Sequence, residues 1–144
     1  MMIEIRAATA ADRWTIRFMV WRAGLVPTGL DWRRFLVACD DAGIVGCVQV
    51  RRHHDGPELS SLVTARAWRG RGVATQLVNA LLLQEAGELH LMCAESLRAF
   101  YARFGFVELA QKDAMPAALR RKRAAARLFG LPIICMRRPA RRDA

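Results

Sequence analysis

Ile3, Ile5 and Ala7 alternate with polar residues, the period of a short strand. Thr9 can then cap a helix running to about Ala23, with Trp14, Phe18 and Trp21 on one stripe. Gly24, Pro27 and Gly29 break that pattern, and Asp31 is a second candidate cap before a short turn. Phe35–Cys39 reads as a strand, Asp40–Gly43 as its hairpin turn and Ile44–His53 as a second strand. Asp55-Gly56-Pro57 marks another turn before a third strand, Glu58–Thr64. The short connections make this meander antiparallel. A helix from about Gly72 to Gln84 follows, with Leu77/Leu81 and Val78/Leu82 as i, i+4 apolar pairs and Gly87 beyond its end.

The remainder is built from shorter pieces. His90–Cys93 is a strand, Ser96 caps a helix through Arg103, Gly105 ends it, and Phe106–Leu109 is a strand. Pro116 sits at the start of an Ala- and Arg-rich helix, Ala117–Leu128, closed by Gly130 and Pro132. Ile133–Met136 is the last strand, and 137–144 is a polar tail prone to fray. The order β-α-(α)-β-β-β-α-β-α-β-α-β predicts an α+β or mixed α/β sheet with helices on both faces. With no repeat and no long linker, residues 1–144 read as one domain.

Composition adds a bias towards anionic partners. Hydrophobic residues make up 53% of the 144 and charged residues 25%, the mix of a globular chain. No apolar run approaches the ~20 residues that span a bilayer. Charges already at Glu4, Arg6, Asp12 and Arg13 argue against a signal peptide, so a cytoplasmic location is expected. Lys+Arg exceed Asp+Glu by 23 to 13, a net charge of +10 that favours nucleic acid, phosphorylated ligands or acidic surfaces. The cysteines Cys39, Cys47, Cys93 and Cys135 form no C-x-x-C pair and lie in apolar stretches, as reduced core residues would. His53 and His54 are adjacent on a strand and point to opposite faces, so they do not chelate one metal together. No metal is expected.

The chemical signal lies after the third strand. A strand, a glycine-rich turn and a helix form an anion site, because the first helical N–H groups lack intrahelical partners and the dipole adds positive potential. Gly70 and Gly72 allow unusual backbone angles and close approach, and Arg69 and Arg71 add charge. A P-loop would need a Lys after these glycines, and a dinucleotide fingerprint would end in Gly or Ala where Thr75 stands. A diphosphate fits; neither nucleotide motif does.

Arg69-Gly70-Arg71-Gly72-Val73-Ala74 resembles the [Q/R]-x-x-G-x-[G/A] acyl-CoA loop of the GNAT superfamily of N-acetyltransferases, and the stretch Leu62–Ala74 resembles the family's strand, loop and helix start throughout. Phe100-Tyr101-Ala102-Arg103-Phe104-Gly105-Phe106 resembles its second signature, a helix ending in Y-x-[K/R]-x-G-F. The element order is similar over roughly residues 3–136. The resemblance implies a central mixed sheet of about seven strands, splayed where acetyl-CoA lies between the strands Glu58–Thr64 and His90–Cys93. By position, Leu62, Val63 and Thr64 would pair with the pantetheine arm, and Arg69, Gly70, Arg71, Gly72, Val73, Ala74 and Thr75 would hold the pyrophosphate. The Val63 amide would polarise the thioester carbonyl.

Acetyl transfer needs a deprotonated amine, a polarised carbonyl and a proton for the leaving thiolate. Tyr101, the only tyrosine, aligns with the family residue that often protonates the CoA sulfur. Glu58 stands eleven positions before Arg69, near the place of the general base in several members; Glu95, His53, His54 and Cys93 are further candidates. The chain departs from the family pattern where an Asn is usual: Ala94 or Ser96 stands there, and Ser96 either touches the pantetheine or only caps its helix. Gln111–Leu131 is long for the final hairpin connection and carries Arg120, Arg121, Lys122, Arg123 and Arg127, read first as a solvated face. Trp21, Leu25, Asp31, Trp32 and Arg33 are candidates for an acceptor pocket. The expected activity is acetyl-CoA-dependent N-acetylation of a primary amine, a small molecule or peptide, by direct attack in a ternary complex. The alternative is a non-catalytic acyl-CoA-sensing or nucleic-acid-binding module. With no helix-turn-helix spacing and no RNA-binding motif, nucleic acid is not the expected partner, nor is a membrane; a homodimer is compatible with the family.

Overall fold

In the computed structural model, which describes residues 2–25 and 28–141, the polar–apolar alternation of the N-terminus forms strand β1 (Glu4–Ala7). Chain entry into the first helix is set by Asp12, which accepts from the Thr9 amide at 2.7 Å and from Arg6 Nη1 at 2.7 Å. A 3-10 turn (Ala10–Asp12) leads into helix α1 (Arg13–Arg22). Asp31 caps a second 3-10 turn (Trp32–Arg34) by accepting from the Arg33 amide at 3.0 Å. Strands β2 (Phe35–Asp40), β3 (Gly43–His53) and β4 (Gly56–Thr64) follow, then helix α2 (Val73–Gln84), strand β5 (Leu89–Ala94), helix α3 (Arg98–Ala102), strand β6 (Val107–Glu108), helix α4 (Ala117–Leu128) and strand β7 (Ile133–Arg138). The strands form one seven-stranded mixed sheet in the order β1-β2-β3-β4-β5-β7-β6. No helix of the described residues is long and apolar enough to cross a membrane.

The chain divides into two compact units, Met1–Val50 with Ser60–Gln84, and Arg51–Leu59 with Glu85–Ala144. In the first unit β1 pairs antiparallel with β2, and β2 with β3. Both faces of β2 and β3 are covered, which explains their near-continuous apolar runs. Phe35, Val37 and Cys47 share one face with Ile16 and Val20 of α1 and Val63 of β4. On the other face stands Gly46, where a Cβ would meet Val73 Cγ1 at 2.9 Å, Leu77 Cδ1 at 3.0 Å and the Val63 carbonyl oxygen at 3.0 Å. Glycine there lets α2 lie close against the sheet.

In the second unit β4 runs parallel to β5, with Glu58 opposite His90 and Leu59 opposite Leu91. β7 pairs antiparallel with both β5 and β6. Period two then sorts the side chains. Glu58, His90, Met92 and Cys135 share one face, where Met115 and Leu119 pack against Cys135. Leu59, Leu91 and Cys93 share the other.

Several details differ from the sequence reading. The stripe Trp14, Phe18 and Trp21 is 66%, 56% and 62% exposed, while Ile16 and Val20 form the buried side of α1. Each outward ring instead carries or neighbours an arginine: Arg13 and Arg17 lie over Trp14, and Arg22 over Phe18. Ser96 does not cap the helix through Arg103. It lies within a 3-10 turn (Glu95–Leu97), and α3 begins after Leu97 with no side-chain cap. The Phe106–Leu109 strand shortens to the two residues of β6, because Phe106 is buried beside Tyr101. Pro116 precedes α4 as its cap, and Asp55 accepts from the Ala117 amide at 2.7 Å. Arg123 is not on a solvated face: it is 5% exposed and donates to the carbonyls of Ala110 (3.4 Å) and Gln111 (3.2 Å). Pro27 and the last three residues of the tail lie outside the described residues.

Candidate active site

The first unit holds the candidate anion site. β4 leaves regular strand geometry at Ser61, a non-glycine residue at φ 56. That conformation costs about 1 kcal/mol or more and persists only where neighbours fix it. Gln49, fully buried, does so by donating from Nε2 to Ser61 Oγ at 2.9 Å, and the Cys47 thiol reaches the Ser61 carbonyl at 3.6 Å. The backbone of Leu62, Val63 and Thr64 follows directly, with Val63 buried and the flanking pair half-buried.

A 3-10 turn (Arg66–Trp68) then carries the chain into the glycine turn. Gly70 and Gly72 adopt φ 77 and 81, which an L side chain resists, and a Cβ at either would meet nothing within 4 Å. Their glycines serve backbone shape, so the space around them stays open. The first bond of α2 runs from the Gln76 amide to the Gly72 carbonyl at 3.1 Å, which leaves the amides of Val73, Ala74 and Thr75 without partners inside the helix. Arg69 and Arg71 flank them. Arg69 Nε donates to the Thr64 carbonyl at 3.4 Å, and the Arg71 guanidinium stacks 5.0 Å from the Trp68 ring centroid. Beside this turn is a cavity of about 570 Å3 between α1 and the end of β4; Phe18, Met19 and Val63 supply apolar walls and Arg22, Arg66 and Arg69 supply charge. Oriented amides, a helix N-terminus and guanidinium groups suit a diphosphate, and the apolar strip suits an aliphatic arm.

The second unit holds the candidate proton-transfer groups. Tyr101 is 5% exposed, with Phe100 and Phe106 edge-on at 5.0 and 5.9 Å between centroids. Burial, with Cys93 close by, pushes its phenol well above the ordinary value, so it is protonated at neutral pH. Glu58 is 3% exposed, and its Oε1 lies 2.6 Å from His53 Nε2. The register sets Glu58 on one face of this part of the sheet and Cys93, the neighbour of Tyr101, on the other. Ser96 and Glu95 are exposed, and Glu95 forms an ion pair with Arg98. His54 is exposed. Burial pushes the Cys93 thiol up to about 11 and Cys47 to about 12, which leaves both as inert core thiols. Among the described residues no group of His, Cys, Asp and Glu could hold a metal ion.

The sequence offers one local signal for the His53–Glu58 contact: the two residues flank a tight turn. Arg22 and Arg66 carry no such local signal, since only tertiary packing brings α1 to the end of β4.

Comparison with known proteins agrees with this fold. No curated protein matches the chain. Among solved structures, Rv2747 from Mycobacterium tuberculosis, in complex with CoA and NLQ, superposes with a TM-score of 0.79 at 18% identity, covering 96% of this chain and 99% of its own. The N-acetylglutamate synthase from Neisseria gonorrhoeae, in complex with coenzyme A and N-acetyl-glutamate, gives 0.77 at 15% identity over 99% of this chain. The present chain spans 36% of that synthase. An acyl-CoA N-acyltransferase from Pseudomonas aeruginosa gives 0.68 at 18% identity, covering 95% of this chain and 98% of its own. At these identities the likeness is one of fold. In sequence, residues 31–108 match the Acetyltransferase (GNAT) domain. That match takes in β2 through β6 and with them the glycine turn and the Tyr101 helix, and by it the chain belongs to the GNAT family of acetyltransferases.

Proposed function

We propose that this acetyltransferase moves an acetyl group from acetyl-CoA to the primary amine of a small acceptor that carries a carboxylate, by direct attack in a ternary complex. The observation that carries the reading is the turn at Gly70 and Gly72, whose positive φ angles bring the chain into α2 with the first amides of that helix unpartnered within it and with Arg69 and Arg71 adjacent in the turn. Diphosphate held there leaves the pantetheine arm to run along Leu62–Thr64, and the Val63 amide to polarise the thioester carbonyl. The acceptor arrives as an ammonium ion. Glu58 takes one proton from it, and the freed electron pair attacks the acetyl carbon. The C–S bond then breaks, the departing thiolate takes the proton of the Tyr101 hydroxyl, and the surplus proton on the new amide nitrogen passes to the Tyr101 oxygen, which leaves a neutral amide and restores the phenol. Ser96, exposed and outside any cap, has at most a peripheral place along the bound cosubstrate.

A carboxylate on the acceptor follows from charge. The net charge of +10 opposes polycations, and Arg22 and Arg66 line the cavity at the end of β4. Two proteins of similar fold were solved with N-acetyl-glutamate or NLQ, which supports an amino acid over a polyamine. The test is calorimetric titration with acetyl-CoA, CoA and NAD, followed by thiol release with L-glutamate and with spermidine. Micromolar binding of acetyl-CoA and CoA but not NAD, with faster turnover of L-glutamate, is expected. No acetyl-CoA binding by folded protein sinks the cosubstrate assignment; faster spermidine turnover sinks the acceptor class.

A further inference from the structure

A carboxylate as buried as Glu58, 3% exposed, is costly unless something donates to it. His53 is that partner. Its Nε2 lies 2.6 Å from Glu58 Oε1, and the two residues stand five positions apart on either side of the β3–β4 turn. The distance is therefore set by a hairpin, a short and stiff connection. Exposure of the two side chains differs, 20% for His53 and 4% for Glu58, so the ring lies on the solvent side of the carboxylate.

We propose that His53 is the positioning residue for Glu58: its Nε2–H donates to Oε1, fixes the orientation of the carboxylate and leaves the second oxygen to receive the amine proton. The proposal rests on Glu58 being the base. In the step itself an N–H bond of the ammonium breaks, its electron pair stays on nitrogen, and the proton binds the second Glu58 oxygen. His53 keeps its own proton throughout, so it acts through Glu58 and never touches substrate.

The surroundings leave His53 as the group suited to this. His90 of β5 stands opposite Glu58 in register, but burial lowers its pKa and its Nε2 lies 3.5 Å from Glu88 Oε1. On β7, Cys135 is near enough for the Glu58 charge to raise its thiol pKa. Arg123 and Arg127 of α4 act on the same thiol, and Arg123 is committed to the carbonyls of Ala110 and Gln111. In the turn, Asp55 accepts from the Ala117 amide, and His54 is exposed.

The test pairs a spectroscopic readout with kinetics, on the whole chain. In a 15N-imidazole NMR spectrum of the free protein, neutral His53 should be the Nε2–H tautomer; the Nδ1–H tautomer overturns the proposal without any acceptor. Kinetics follow thiol release from acetyl-CoA with the best acceptor of an L-amino acid panel, L-glutamate included. His53→Ala removes the donor, so the Glu58 carboxylate loses its fixed orientation. kcat should fall about tenfold with little change in KM for acetyl-CoA. His53→Gln keeps an N–H donor and should restore kcat. Equal loss of kcat in both variants, or a rise in KM with kcat unchanged, means a structural role and overturns the proposal. Glu58→Gln separates the two ideas: full activity there sinks the base reading, whereas loss there with unchanged kcat in His53→Ala sinks His53 alone.

Discussion

Tyr101 and Asp12 show how one side chain's surroundings set its chemistry. A phenol already holds its proton at neutral pH, and burial, with Cys93 close by, raises the Tyr101 pKa further. Replacing it with Phe removes the donor and leaves the ring contacts with Phe100 and Phe106 intact. We expect Tyr101→Phe to lower kcat about 10- to 100-fold with little change in KM for acetyl-CoA, measured by thiol release. Asp12 has a structural task. Hydrogen bonds from Arg6 and the Thr9 amide outweigh its burial and hold its carboxyl down at about 2. The folded pKa is depressed, so the stabilisation is complete above the unfolded value of about 4 and is lost as pH falls towards 2. Asp12→Asn should cost about 1–3 kcal/mol in urea unfolding at pH 7, and the cost should shrink below about pH 4.

At the scale of elements, the glycine turn works because of what lies beneath α2. Gly46 on β3 lets the first turn of the helix rest on the sheet, within 3 Å of where a Cβ would stand. Gly46→Ala forces Val73, Leu77 and the Val63 carbonyl to move, and these adjoin the proposed cosubstrate site. Overpacking of this kind should cost about 1–3 kcal/mol of stability. Weaker acetyl-CoA binding by calorimetry should accompany it, because Val73 opens the helix whose amides face the diphosphate. Element type was legible wherever periodicity ran long, as in β3, α2 and α4. Short pieces were harder. Ser96 looks like a cap in sequence, yet the chain there winds into a 3-10 turn before α3 starts. Trp14, Phe18 and Trp21 form a true helical stripe, but a stripe does not say which way it faces. Arginines stack on the outward rings, while the smaller Ile16 and Val20 fill the space over β2 and β3.

Across the whole molecule, charge and acid sensitivity are the collective properties. A net charge of +10 with arginines around the glycine turn makes anion binding depend on screening. Acetyl-CoA affinity should therefore fall when salt rises from about 50 to about 500 mM, as titration at the two strengths would show. Acid stability should decline in two stages. His90 is buried, and desolvation lowers its pKa, so the unfolded chain binds its proton first. Stability from neutral His90 is complete above about pH 6.5 and falls below it. The Asp12 contribution goes later, below about pH 4. Thermal melts between about pH 7 and 5 should show a slope that is reduced in His90→Asn.

The sequence by itself determined the order of the main elements and the glycine turn, because each depends on local spacing: period two or 3.6, and glycines where φ must be positive; the candidate pair Tyr101 and Glu58 came from the resemblance of its motifs to the GNAT superfamily. Only the tertiary structure decided which helix faces are buried, that Arg123 turns inward to hold the chain at Ala110 and Gln111, and that Arg22 reaches the cavity at the end of β4. It also decided that Glu58 is buried against His53, on the face opposite Cys93 and the tyrosine beside it. Burial and contact across strands depend on what packs above a residue. That is fixed by the whole chain folding at once, and no local pattern of polar and apolar positions encodes it.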